Sequence, residues 1–152
     1  MKILREAVVF VLLLLFVSPV LVAQDNAVVD RFLQADPADA STTVYLSLIA
    51  GGYDDGVLRV EEALDRFVQE GYSTKLGAEE AVTAADFAHI AMQTMNIRGS
   101  LMYQLLGTPR YAFRTLQSYG IIGDNVAPRS VLSGETVLAY LGLATQWKER
   151  HQ

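Results

Sequence analysis

Arginine and tyrosine side chains that could bind an anionic ligand cluster in the second half of the chain. Arg110 and Arg114 are four residues apart, so on a helix they would share one face, with Tyr111 beside them. Arg98 and Arg129 flank this segment in the sequence. Guanidinium groups bind carboxylate or phosphate through paired donors, and tyrosine rings pack on sugars. These five residues are the predicted ligand-binding surface; the alternative is a core tyrosine with solvated or internally paired arginines.

The spacing of the titratable residues does not indicate a complete set of catalytic residues. His89 follows Asp86 by three residues, so a carboxylate could orient the imidazole, but the sequence places no nucleophile beside them. A surface or half-buried histidine is the favoured interpretation. Asp86 and Glu135 each lie in the first turn of a predicted helix, which leaves a small carboxylate-dependent hydrolase as an alternative function. We predict no catalytic residues.

Metal and cofactor sites are also not predicted. Four acidic residues surround a glycine turn, namely Asp54, Asp55, Glu61 and Glu62. Calcium binds several oxygens on a flexible loop, but this spacing differs from the helix-loop-helix calcium pattern. Acids in a turn and at a helix start suit the helix dipole equally well. The absence of cysteine excludes disulfides and thiolate ligands, and no phosphate loop or His-Glu metal motif occurs.

The beginning of the chain has the pattern of a bacterial secretion signal. Lys2 and Arg5 precede an unbroken apolar run at 7–17, and a small residue, Ala23, stands before a polar segment. A positive start, a short apolar centre and a small residue at the boundary are typical of secretory signals. We predict that residues 1–23 are a signal peptide.

Export determines where the remaining chain, a predicted single domain at 24–152, would act. It is expected in the periplasm or associated with the cell envelope. The uncharged stretch at 7–23 is at the short limit for a membrane span, so a membrane tether is expected only if the signal is not cleaved. An exported, net-acidic chain is not expected to bind nucleic acid.

Charge is distributed unevenly along the predicted domain. Residues 24–96 contain 4 Lys or Arg and 13 Asp or Glu, a net charge of −9, whereas residues 97–152 contain 6 and 3, a net charge of +3. This asymmetry is compatible with anion binding by the second half or with head-to-tail self-association. The alternative is that each half has an ordinary solvated face.

The elements that must position these residues are predicted to be helices. Apolar residues recur at helical spacing, no long alternating run indicates a sheet, and glycines stand where helices should end. The predicted helix starts are Ser41 or Thr42, Thr83, Thr108 before a proline, and Ser133. We therefore predict an all-α fold of six or seven short helices in a compact helix-loop-helix repeat bundle. The apolar helix at 100–106 is assigned to the core, with a partner-facing helix as the alternative.

Two segments of the chain, 58–97 and 109–147, follow one plan. Each has a helix, a glycine stop, a loop, a hydroxyl cap with an acid in the first turn, and a second helix. The glycine precedes the cap by 12 residues in the first segment, and by 13 in the second. Because such a unit cannot bury its apolar face alone, the copies should pack on each other.

The second copy resembles the repeat of S-layer homology domains. It runs from Gly-Ile-Ile-Gly at 120–123 through a loop containing Pro128 to Leu-Ser-Gly-Glu at 132–135. The family usually has three copies, longer loops, and an arginine where this chain has Ala84 and Gly134. The resemblance implies docking on cell-wall polysaccharide.

The predicted function is that of a non-catalytic binding or scaffold module of the envelope. Its expected partner is a cell-wall glycan or another envelope protein. A small carboxylate-dependent hydrolase and a self-associating structural subunit are the alternatives.

Overall fold

A computed structural model describes residues 19–53 and 58–151. Residues 1–18 of the predicted signal at 1–23 lie outside the described residues. Asp54 and Asp55 of the acidic turn also lie outside them. The chain divides into two compact units, 1–31 and 32–152, and all packing given below lies within the second.

The described part of the chain is all-α, as predicted, with seven α-helices and no strand beyond isolated bridges. The helices are α1 (Pro19–Leu33), α2 (Ala40–Ala50), α3 (Ala63–Gln69), α4 (Ala84–Thr94), α5 (Leu101–Leu106), α6 (Pro109–Ser118) and α7 (Gly134–His151), and a 3-10 turn (Val60–Glu62) precedes α3. None of these helices is long and apolar enough to cross a bilayer.

Polar caps start the three helices that organise the fold. Thr83 and Asp86 form a capping box at α4, and the Ser133 hydroxyl accepts the Thr136 N–H at the start of α7, so both predicted caps are confirmed. The prediction of Ser41 or Thr42 as the cap of α2 is wrong. Asp39 has an extended backbone and accepts the Thr42 N–H at 2.8 Å, so the helix starts at Ala40.

The residues just before these caps form a closed ring of backbone hydrogen bonds, which we name the cap ring (Ala38, Val82 and Leu132). The N–H of Ala38 donates to the carbonyl of Leu132 (2.8 Å), that of Leu132 to Val82 (2.9 Å), and that of Val82 back to Ala38 (3.0 Å). All three side chains are buried. The starts of α2, α4 and α7 therefore meet at one point in the interior.

A second cycle of hydrogen bonds surrounds the cap ring. The first residue of each helix donates its N–H to the loop before the next helix in the cycle: Ala40 to Glu80 (3.0 Å), Ala84 to Ser130 (2.9 Å) and Gly134 to Ala35 (2.8 Å). Helix starts leave such N–H groups without partners inside the helix, and here the neighbouring loops supply the acceptors. These first residues are small and buried because a loop backbone lies against each of them.

The core is built around α4, which packs against α2, α6 and α7. Most of its residues are buried, including Phe87, Ile90 and Met92. Near their C-terminal ends α2 and α4 approach closely, since a Cβ on Gly51 would overlap the carbonyl of Thr94. The last turn of α4 is thereby held against the C-terminal end of α2.

The assignment of α5 to the core is wrong for most of its apolar side chains. Leu101 and Leu105 are each 70% exposed, and Met102 and Leu106 are exposed as well. The reason is that α5 is only six residues long and packs against α6, and no other helix in the described part of the chain covers its outer face. An apolar run alone does not show whether a neighbour exists.

Gly134 tests the close packing at the cap ring. A Cβ at this position would overlap the Phe32 carbonyl, so we expect Gly134→Ala to lower the free energy of unfolding by about 2 kcal/mol. Gly142 lies in the same helix with no atom near its Cβ position, so Gly142→Ala should raise that free energy by up to about 1 kcal/mol. Urea denaturation of both variants measures the difference. Equal effects at the two positions would contradict the proposed packing.

Ser47 carries a buried hydroxyl without a hydrogen-bond partner in the described part of the chain. Because an unpaired buried hydroxyl costs free energy, Ser47→Ala should leave the free energy of unfolding unchanged or raise it by about 1 kcal/mol. The control is Thr43→Val, since the buried Thr43 hydroxyl donates to the Asp39 carbonyl at 2.7 Å. That variant should lose about 1 kcal/mol. A larger loss for Ser47→Ala than for Thr43→Val in thermal unfolding would count against this account.

Candidate functional site

A tight turn after α4 presents Arg98 at the surface. Asn96 has a φ of 51°, a left-handed conformation that asparagine tolerates better than most residues, and the next residue, Ile97, is buried. The chain is thus anchored one residue before the exposed Arg98. The hydroxyl of Tyr119, at the end of α6, donates to the Arg98 carbonyl at 2.9 Å and fixes the turn from the other side.

Two cavities adjoin this turn and share Asn96, Ile97 and Arg98 in their walls. The larger has a volume of about 600 Å³ and the smaller about 400 Å³. Arg98 therefore lies at their junction, where one guanidinium group can serve a ligand in either cavity.

The larger cavity is lined by polar groups held in place by hydrogen bonds. Gln93 binds the backbone of Ser73 twice: its carbonyl oxygen accepts the Ser73 N–H at 2.8 Å, and its amide nitrogen donates to the Ser73 carbonyl at 3.1 Å. The Gln104 amide donates to the Gly99 carbonyl at 3.0 Å. The first two bonds connect α4 to the loop before it, and the third connects α5 to the turn that precedes it, so these side chains are already positioned before a ligand enters.

His89 lies in the wall of this cavity, 7% exposed, with its Nδ1 3.4 Å from the Tyr103 hydroxyl and the two rings edge to face. Burial lowers the pKa of His89 below its ordinary value of 6.5, against an opposing effect from the nearby carboxylate of Asp86 and a hydrogen bond to the Ser73 backbone. Burial also raises the pKa of Tyr103. Both side chains are therefore neutral hydrogen-bonding groups at neutral pH.

The smaller cavity is lined by a stack of three rings. Tyr119 and Trp147 stack with centroids 4.4 Å apart and planes 12° apart, and His151 stacks on Trp147 at 4.4 Å and 15°. Lys148 and Arg98 complete the wall. The stack lies at the C-terminal end of α7, where cationic side chains interact favourably with the helix dipole. This cavity combines ring surface with positive charge.

The five residues of the predicted binding surface differ in whether they line these cavities. Arg98 lines both cavities, whereas the other four line neither of them. Arg110 and Arg114 are exposed on α6, Tyr111 beside them is half-buried, and Arg129 is exposed in the loop before α7.

Sequence reasoning missed the aromatic residues of the cavities. Trp147 and His151 are four residues apart, which would have indicated one helix face. Tyr119 is distant in the sequence and carries no local signal for its stacking on Trp147.

Of the two acidic residues considered for catalysis, Asp86 has a capping role and Glu135 is exposed. The Asp86 carboxylate accepts the N–H and hydroxyl of Thr83 in the capping box, and Glu135 is exposed. Among the described residues, no group of three or more His, Asp or Glu side chains is placed to hold a metal ion.

No protein family, curated protein or solved structure matches the chain.

The lowered pKa of His89 predicts a pH dependence of stability. Folded His89 resists protonation, so the unfolded chain binds more protons as the pH falls through 6.5. We expect the free energy of unfolding to decrease with acidification from neutral pH, and to level off below the pKa of the folded state. His89→Gln should flatten this dependence, while His151→Gln, at an exposed position, should not. Urea denaturation between pH 7.5 and 5 measures it, and identical slopes for parent and His89→Gln would refute the assignment.

Proposed function

We propose that the chain is an exported, non-catalytic binding module of the cell envelope, and that it binds an anionic cell-wall glycan at the two cavities beside Arg98. The observation that carries this proposal is the position of Arg98 at the junction of a polar cavity and an aromatic one. An acidic sugar unit presents both a charged group and a ring with hydroxyls, so it needs both kinds of surface.

Charge recognition is the first requirement for such a ligand. The guanidinium of Arg98 offers paired donors to a carboxylate or phosphate, and Lys148 adds a second cation in the wall of the smaller cavity. Because Arg98 and Lys148 line the same cavity, an anion there can interact with two cations, whereas an isolated surface arginine offers one.

Hydrogen bonding and ring packing are the second requirement. The larger cavity presents the amide of Gln104 and the hydroxyl of Tyr103, which can pair with sugar hydroxyls. In the smaller cavity, Tyr119 is half-buried and His151 is exposed at the two ends of the ring stack, so part of their ring surface remains accessible. Aromatic rings with one apolar face and one polar edge suit such partly wet sites.

Two further features support the envelope part of the proposal. The sequence pattern of residues 1–23 is that of a secretion signal. The resemblance to S-layer homology repeats implies three copies of the helix-loop-helix unit. The cap ring supports it, because Ala38 and Asp39 supply a third cap segment beside those at Val82 and Leu132.

The test is sedimentation of the purified protein with isolated cell-wall sacculi, before and after their anionic polymers are removed. We expect binding to untreated sacculi that weakens with added salt, because the ligand is anionic. Arg98→Gln should weaken binding by a factor of about 10–100, since a hydrogen bond to a charged group contributes about 1.5–3 kcal/mol. Trp147→Ala should weaken binding to a similar extent, because it removes the centre of the ring stack.

The matched control is the double variant Arg110→Gln/Arg114→Gln, which removes exposed charge outside both cavities. It should weaken binding only a few-fold, and mainly at low salt. If this variant abolishes binding while Arg98→Gln does not, the site lies on α6 and the assignment to the cavities is wrong. If no variant of the protein pellets with sacculi, the ligand is not a cell-wall glycan, and an envelope protein becomes the expected partner.

A further inference from the structure

The outer face of α5 is the most exposed apolar surface in the described part of the unit. Its members are Leu101, Met102, Leu105 and Leu106, exposed by 70%, 44%, 70% and 53%. At about 100° per residue these four side chains share an arc of about 140°. Tyr103 and Gln104 lie on the remaining arc and line the larger cavity. The helix thus has a polar inner face and an apolar outer face.

The stretch of sequence that contains this apolar face carries positive charge only. The stretch 87–123, which contains α5, has no Asp or Glu, although the whole chain has a net charge of −5. Arg98 precedes α5 by three residues, and Arg110 and Arg114 follow it on α6; all three are exposed. An apolar face flanked by exposed arginines and free of acids is complementary to a surface with negative headgroups over an apolar interior.

We propose that the outer face of α5 docks on an anionic lipid bilayer. The four apolar side chains enter the boundary between headgroups and acyl chains, and Arg110 and Arg114 pair with lipid phosphates. Arginine suits this position because its stem is apolar and its guanidinium binds phosphate through paired donors. The helix is far too short to span the membrane, so the protein lies on its surface.

A second copy of the chain fits the same face less well. In a two-fold symmetric contact each α5 would meet its own counterpart, and the arginines of both copies would face one another without acids between them. Four apolar side chains also cover much less than the area of roughly 1,200–2,000 Å² that stable protein interfaces bury. Neither objection applies to a bilayer. Its anionic headgroups neutralise the arginines, and the area that a protein interface needs does not limit it.

The proposal does not depend on glycan binding at the cavities. The apolar side chains occupy the arc of α5 opposite Tyr103 and Gln104, so a ligand in the larger cavity and a membrane under α5 would contact different faces of the helix. Failure of either proposal would leave the other in place.

The test places a fluorescent reporter on the face itself. The chain has no cysteine, so Leu105→Cys creates a single labelling site in the full-length protein for a dye sensitive to polarity. Val68→Cys is the control, because Val68 is 60% exposed on α3 among the acids Asp65 and Glu70. We expect a blue shift at position 105, and none at 68, with phosphatidylethanolamine vesicles containing phosphatidylglycerol. Phosphatidylcholine vesicles should give neither.

Charge variants then test the arginines. In the labelled Leu105→Cys protein, Arg110→Gln and Arg114→Gln should each weaken binding to the anionic vesicles about five-fold. Arg59→Gln, at an exposed position in the acidic half, should have no effect. No shift at 105, or equal shifts at 105 and 68, would overturn the proposal. A shift at 105 that grows with protein concentration without vesicles would overturn it in favour of self-association.

Discussion

Every other feature of the unit from Phe32 onwards depends on the cap ring. Three helix starts are brought together in the interior, where water cannot satisfy their free N–H groups, so the chain must provide backbone acceptors there. It does so cyclically, each segment donating to one neighbour and accepting from another. This arrangement admits only small residues at the first helical positions, which explains why Ala40, Ala84 and Gly134 lie where they do.

The candidate site is connected to the same ring through α4. Helix α4 starts there and is buried along most of its length, so its far end, with Asn96 and Arg98, is positioned by the core and not by a free loop. The bonds from Gln93 to Ser73 and from Tyr119 to the Arg98 carbonyl extend this support to the neighbouring segments. Polar groups held in this way lose little conformational entropy when a ligand binds, which favours recognition.

Sequence reasoning predicted local structure better than tertiary contacts. Thr83 and Ser133 could be recognised as caps because a hydroxyl followed by an acid is a local signal. The third segment was missed because its cap is an aspartate and no acid follows in the first turn of α2. The exposure of α5 and the stacking of Tyr119 on Trp147 depend on which helices become neighbours, and no local pattern encodes this. Of the five predicted site residues, only Arg98 lines the cavities.

The uneven charge distribution is compatible with anionic partners although the chain has a net negative charge. At physiological ionic strength, fields are screened within about 8 Å, so a ligand senses the residues near it and not the net charge of −5. Around Arg98 and α5 those residues carry no acid between positions 87 and 123. Most acids of the predicted domain precede this stretch, so an anionic partner at Arg98 or α5 meets a segment of chain whose charged side chains are all basic. Recognition would follow from this asymmetry.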